Sequence, residues 1–169
     1  DIEDARRDAI CRNHSAAHLL QAALRTVLGS HVEQAGSFVS EDICRFDFTH
    51  FVALTDSELK QVEALVNAHV LAGNEIVTKE TDIETARKEG AMALFGEKYG
   101  KTVRMVKMGS FSTELCGGTH CDNTGKIGLF KIISESSVAA GVRRIEAVTG
   151  LGVLHLIAKQ ESLINQTAA

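Results

Sequence analysis

Residues 4–28 carry one unbroken helical pattern, and that pattern is the strongest constraint on the fold. At about 100° per residue, Ala16, Ala17, Leu20, Ala23, Leu24, Val27 and Leu28 fall within an arc of about 140°. His14, His18, Gln21 and Arg25 form a second stripe along its edge. Gly29-Ser30 ends the pattern, with glycine just past the last apolar residue.

The periodicity then changes. Gly36 breaks the chain, and Ile43–Phe48 alternates, with Cys44, Phe46 and Phe48 on one face and Arg45 and Asp47 on the other, as a half-buried strand does. Thr55-Asp-Ser-Glu58 is a capping box opening a helix with Leu59, Val62, Leu65, Val66 and Val70 on its apolar face, closed by Gly73. Glu75–Glu80 reads as a short strand, and Thr81-Asp-Ile-Glu84 as the start of a short helix ended by Gly90. Val103–Met108 is a strand, and residues 109–126, with four glycines, read as loop. Ile127–Ile133 is apolar on both faces, which suits a central strand. Val142–Val148 is a further strand, and from Val153 the pattern is helical again, with Leu154, Ile157 and Leu163 wanting a partner. Without regular βαβ alternation, this order predicts an α+β fold with a mixed or antiparallel sheet and packed helices.

The chain has 169 residues, of which 44% are hydrophobic. That suffices for one ordinary domain and excludes wholesale disorder. No apolar run approaches the roughly 18 residues of a membrane span. The net charge of −4 argues against a protein that coats nucleic acid. The charge is uneven, however: residues 1–85 hold 15 acidic and 7 basic side chains, and residues 86–169 hold 7 acidic and 11 basic. Polyanion contact is therefore expected mainly in the second half, where Lys98, Lys101, Arg104 and Lys107 form a run without acid. Trp is absent and Tyr occurs once, so a base-stacking aromatic platform is not expected. The first residue is Asp1 rather than Met, as expected of a piece of a longer protein.

Four Cys and seven His are present. Cys11, Cys44, Cys116 and Cys121 form no CxxC, which points to a reduced, cytoplasmic protein with two or three of the thiols buried as small hydrophobes. The informative spacing is i,i+4, and it occurs twice. His14 and His18 project from one helical face about one turn apart. Cys116-Gly-Gly-Thr-His120 repeats the interval with a thiolate and an imidazole. Three nitrogens and one sulfur make a borderline-soft tetrahedral set suited to Zn2+. Gly117 and Gly118 let the backbone turn tightly, and free N–H groups to meet an anionic or carbonyl oxygen. No HExxH, GxSxG or P-loop is present, and no HxE pairs with a CxxC, so the common zinc-protease, serine-hydrolase, nucleotide-hydrolase and deaminase signatures are missing.

These residues sit in longer stretches with a family likeness. Arg12-Asn-His-Ser-Ala-Ala-His18, Gly96-Glu-Lys-Tyr-Gly100, Phe111-Ser-Thr-Glu-Leu-Cys-Gly-Gly-Thr-His120, Ile132-Ile-Ser-Glu-Ser136 and Ala140-Gly-Val-Arg-Arg-Ile-Glu-Ala-Val-Thr-Gly150 resemble the editing domain of the alanyl-tRNA synthetases. The wording is closer to the bacterial synthetase domain than to the free-standing editing proteins. The related threonyl-tRNA synthetase editing domain shares HxxxH and a Cys/His pair, but not the wording around Cys116.

The resemblance implies an editing-domain-like fold over residues 1–150, with residues 151–169 beginning a connecting helix toward further domains. It implies hydrolysis of the ester that links serine or glycine to the 3′ end of tRNA(Ala), with a zinc ion held by His14, His18, Cys116 and His120. It places Gln34 in the active site, Gly117, Gly118 and Thr119 against the substrate, and Arg143 near the tRNA end. Ala17 stands where many relatives carry a Thr implicated in recognising serine, so Gln34 is the remaining candidate for that recognition. A pocket separates one methylene by only about 1–3 kcal/mol, which is why small amino acids call for a second, hydrolytic site. Alanine lies between glycine and serine in size, so exclusion alone cannot separate all three. The partners implied are mischarged tRNA(Ala) and the remaining domains of a parent synthetase. Three other readings compete: a free-standing editing protein, a tRNA-binding module in which zinc only staples two lobes, and a metallohydrolase of some other small ester.

Overall fold

The computed structural model describes residues 1–92 and 100–167. Lys98 and most of the Gly96–Gly100 motif lie outside the described residues.

Helix α1 (Ile2–Leu28) forms as its periodicity demands, capped by Asp1 and stopped by Gly29 at φ 123°. Two antiparallel strands follow, β1 (Gln34–Val39) and β2 (Cys44–Thr49). Helix α2 (Asp56–Leu71) starts at a complete capping box, with Thr55 and Glu58 exchanging side chain-to-backbone hydrogen bonds. Next come β3 (Ile76–Asp82), α3 (Ile83–Lys88), β4 (Thr102–Met108), β5 (Ser112–Leu115), a 3-10 turn (Thr124–Ile127), β6 (Phe130–Ala139), β7 (Val142–Thr149) and α4 (Leu151–Thr167). The four-stranded sheet runs β1-β2-β7-β6 and the three-stranded sheet β3-β4-β5, with every strand pairing antiparallel. The α+β expectation holds.

The core lies between the inner face of the first sheet and the two long helices. Phe46, Phe48, Ile145 and Ala147 of β2 and β7 meet Leu19, Leu20 and Leu24 of α1 and Val62, Val66 and Val70 of α2. Each fully buried Val, Leu, Ile or Phe side chain among them is worth about 1.5–3 kcal/mol. A smaller cluster of Ala86, Val103, Met105 and Leu115 holds α3 on the second sheet. On the outer face of the first sheet the charges pair across strands, with Arg144 bidentate on Asp47 at 2.7 and 2.8 Å. Among the described residues, no helix is long and apolar enough to cross a membrane. Leu154, Ile157 and Leu163 are exposed along α4.

Four expectations are corrected. The stretch 109–126 is not all loop: Ser112–Leu115 pairs with β4, and Thr124–Ile127 forms a 3-10 turn. Ile127–Ile133 is not a central strand. β6 begins at Phe130 and is an edge strand, and α2 takes hydrogen bonds along that edge. Asn67 accepts from Phe130 N and donates to Phe130 O, and Glu63 accepts from Ile132 N, so side chains of α2 cover the backbone groups of this edge, while Leu129 and Ile133 stay exposed. The helix expected at Thr81 starts at Ile83, because β3 runs on to Asp82, whose side chain caps it by accepting from Thr85 N. Of the four free thiols only Cys44 is buried.

One residue fixes the register of α1 on the sheet. Asn13 is buried, donates to the carbonyls of Ser40 (2.8 Å) and Glu41 (3.3 Å), and accepts from Thr149 Oγ1 at 2.6 Å. It ties the helix to the β1–β2 turn and to the end of β7, immediately before His14.

Candidate metal centre and adjoining pocket

The two i,i+4 pairs meet. His14 and His18 come from α1, Cys116 from the residue after β5, and His120 from the loop beyond. One donor atom from each lies within 4.8 Å of all the others. His14 Nε2 and His120 Nε2 are each 3.4 Å from Cys116 Sγ. A tetrahedral zinc site with bonds of about 2.0–2.3 Å has edges of about 3.3–3.8 Å, so two edges already have that length.

The three imidazoles are oriented alike. His14 Nδ1 donates to the Thr119 carbonyl at 3.0 Å, His18 Nδ1 donates to Glu114 Oε2 at 2.5 Å, and His120 Nδ1 lies 3.3 Å from Ser15 Oγ. A carbonyl and a carboxylate can only accept, so the network assigns the hydrogen to Nδ1 of His14 and His18 and turns their Nε2 inward. Outer partners of this kind fix tautomer and orientation in metal-binding histidines. The donor set and its supports fit zinc.

The charges agree with that fit. Burial alone would raise the Cys116 thiol, but hydrogen bonds with His120, His14 and His18 outweigh it and pull the pKa down to about 3. Burial opposes charge on His18, yet Glu114 and Cys116 raise its pKa to about 10. An anionic sulfur among imidazoles is a place for a cation. His120 is shifted down, chiefly by burial.

The glycines divide the work unequally. Neither Gly117 nor Gly118 has positive φ, so the tight turn does not rest on left-handed backbone. Gly118 is required by close approach, since a Cβ there would land in the His14 ring, whereas one at Gly117 meets nothing within 4 Å. The Gly118 N–H donates to Cys116 Sγ (3.4 Å), and the Thr119 carbonyl is taken by His14. Arg104 donates to the Gly118 carbonyl. These backbone groups thus hold the ligand loop, and one of the basic-run residues braces it.

Beside the cluster is a cavity of about 120 Å³, walled by His14, His18 and Cys116 and completed by Ala17, Gln21, Gln34, Ser37, Glu114 and Leu115. Gln34, at the start of β1, reaches it. Arg143 does not line it. Arg143 and Arg144 sit on opposite faces of β7, and each takes a carboxylate of this chain, Arg143 through two bonds to Glu135 and Arg144 through Asp47. Sequence reasoning missed Glu114 and Ser15, and placed Gln21 on the stripe of His14 and His18 without giving it a role. Glu114 lay inside a segment read as loop, and only the tertiary contact 96 residues away marks it.

The family described as "Threonyl and Alanyl tRNA synthetase second additional domain" matches residues 103–146, the stretch that carries Cys116 and His120. Within that family the chain is similar to the alanyl-tRNA synthetases. It is 58% identical over 167 residues to alanine–tRNA ligase 1 of Lachnoclostridium phytofermentans, covering 99% of this chain and 19% of that protein. It is 60% identical over 163 residues to the alanine–tRNA ligase of Pelotomaculum thermopropionicum (96% and 19%). It is 52% identical over 168 residues to that of Legionella pneumophila (99% and 20%). The chain thus spans about a fifth of the length of the curated relatives it matches. An editing-domain-like architecture is what this family and these antiparallel sheets have in common.

Proposed function

We propose that this chain is the editing hydrolase of an alanyl-tRNA synthetase, cleaving the aminoacyl ester of Ser-tRNA(Ala) and Gly-tRNA(Ala). The observation that carries the reading is a donor set fit for zinc opening directly onto a cavity of about 120 Å³. A small cavity walled by three of the four donor residues suits a small acyl group. His14, His18, Cys116 and His120 hold the ion. Zinc supplies Lewis acidity toward the ester and its amino group.

The chain's own residues do the rest. Glu114 and Thr119 hold two ligand rings, and Gly118 leaves the space His14 needs. Gln34 offers a carboxamide to the acyl group from the β1 side. In the net reaction, water adds to the ester carbonyl and the bond to the ribose oxygen breaks. A free amino acid and a tRNA 3′ hydroxyl leave. Residues 1–150 carry this activity and α4 leads toward the rest of the synthetase.

The deciding experiment is deacylation of Ser-tRNA(Ala) against Ala-tRNA(Ala), with and without chelator. Preferential loss of the seryl ester, abolished by chelator and restored by zinc, is the expected result. One observation favours a second reading: four protein donors fill a tetrahedron and join α1 to the β5 loop, as a structural staple does. Under that reading chelation unfolds the chain; under the catalytic one, circular dichroism stays native while hydrolysis stops.

A further inference from the structure

One residue of the pocket has chemistry that no other described residue uses. Gln21 lies on α1 one turn beyond Ala17 and three residues beyond His18, so His14, Ala17, His18 and Gln21 form one stripe facing the cavity. Its residue exposure is only 6%, and its Oε1 is buried without a hydrogen-bond partner among the described residues. Leaving a buried carbonyl oxygen unpaired is unfavourable, and native proteins pair most such atoms. A leucine or methionine at this place would fill the same volume without that cost. A half-turn of the amide exchanges its oxygen and its NH2, so the group can either donate into the cavity or accept from it.

We propose that Gln21 is a specificity-determining residue of the pocket, and that its carboxamide is what rejects an alanyl ester while accepting seryl and glycyl esters. This rests on the editing reading above. The three acyl groups differ at a single carbon. A seryl hydroxyl can bond the Gln21 amide directly. A glycyl group leaves room for a water that bonds the amide in its place. An alanyl methyl displaces that water and offers nothing in return, so the amide stays unpaired. Selection by size alone would be monotonic in glycine, alanine and serine, whereas a buried, unpartnered amide ranks alanine last. Ala17, the neighbouring wall residue, contributes only a methyl, so it does not compete for the hydroxyl.

The test is Gln21→Met, which keeps length and removes both polar ends, with Gln21→Leu as a second variant should Met repack. The zinc-loaded chain is assayed for kcat/KM on Ser-, Gly- and Ala-tRNA(Ala). The expected result is a fall of about 10- to 100-fold in the Ser:Ala ratio, the order expected when one buried hydrogen bond is lost, with a fall in Gly:Ala as well. Melting temperature is the independent readout. Removing an unpaired buried amide should raise Tm by about 2–4 °C, whereas a Gln with a merely structural role would lower it. Unchanged Ser:Ala and Gly:Ala ratios in folded variants overturn the assignment of Gln21 and leave the editing reading standing. A wild-type chain that hydrolyses none of the three esters overturns both.

Discussion

Glu114 Oε2 lies 2.5 Å from His18 Nδ1, with both side chains buried. Ser112 Oγ donates to the other carboxylate oxygen at 3.1 Å, so the carboxylate that orients His18 is itself held in place. Glu114→Gln keeps the shape but can present an NH2 group to Nδ1, favouring the tautomer with its hydrogen on Nε2. Loss of an outer-shell partner of this kind costs about 10- to 100-fold in metal affinity. Competition against a chromophoric chelator should show that drop in zinc affinity, with native circular dichroism. Unaltered affinity would remove Glu114 from the centre.

Gly118 and Gly117 make a paired control. A Cβ at 118 falls in the His14 ring, and one at 117 meets open space. Gly118→Ala should therefore displace His14 and abolish stoichiometric zinc binding, while Gly117→Ala binds one zinc as before. Metal content after gel filtration reads this directly. Equal zinc content in the two variants would show that the ligand loop yields.

The thiols should titrate far apart. Burial pushes Cys44 up to about 12, whereas hydrogen bonds with three histidines outweigh burial and pull Cys116 down to about 3. The thiolate is the reactive form. In chelator, alkylation at Cys116 should therefore be independent of pH between 6 and 9, since it is ionised throughout that range. Alkylation at Cys44 should be negligible there, and any rate it shows in the native state should rise about tenfold per pH unit, the increase in thiolate fraction below its pKa. Added zinc should protect Cys116 alone. Peptide mapping by mass spectrometry separates the sites, and Cys44 labelling at pH 7 without denaturant would contradict its burial.

What could be read in advance follows periodicity and spacing. Helix α2 announces itself because one face is buried and the other exposed, β2 because buried and half-buried residues alternate, and α1 by its apolar arc, although Ser15–Leu24 is buried on every side. His14, His18, Cys116 and His120 announce themselves because donors at i,i+4 are rare on both a helix and a loop. β1 was invisible because none of its residues is fully buried, Gly36 lies inside it and its register slips between Gln34 and Gly36. β5 was hidden by the glycines around it. Glu114 and Asn13 carry no local signal, and Gln21 shows only its place on the stripe of His14 and His18, since the role of each is defined by what it meets, or fails to meet, on another element.

Asn13 is the clearest case of such a residue acting on stability. Its amide makes three hydrogen bonds to two other parts of the chain, and it is 2% exposed. Asn13→Ala leaves the Thr149 hydroxyl and the Ser40 carbonyl without these partners, and a cavity where the amide stood. An unsatisfied buried polar group costs about 1–3 kcal/mol, and here two are exposed to that penalty at once. Replacing Asn13 by Asp should be no rescue, because a carboxylate cannot donate to the Ser40 and Glu41 carbonyls. Urea denaturation should place both variants about 2–4 kcal/mol below the parent. Because Asn13 also fixes where His14 stands, zinc affinity should fall with stability in these variants. Gly118→Ala should instead lose zinc while keeping most of its urea resistance when both proteins are compared in chelator. A stable Asn13→Ala with normal zinc affinity would mean that α1 is held in register by its apolar face alone.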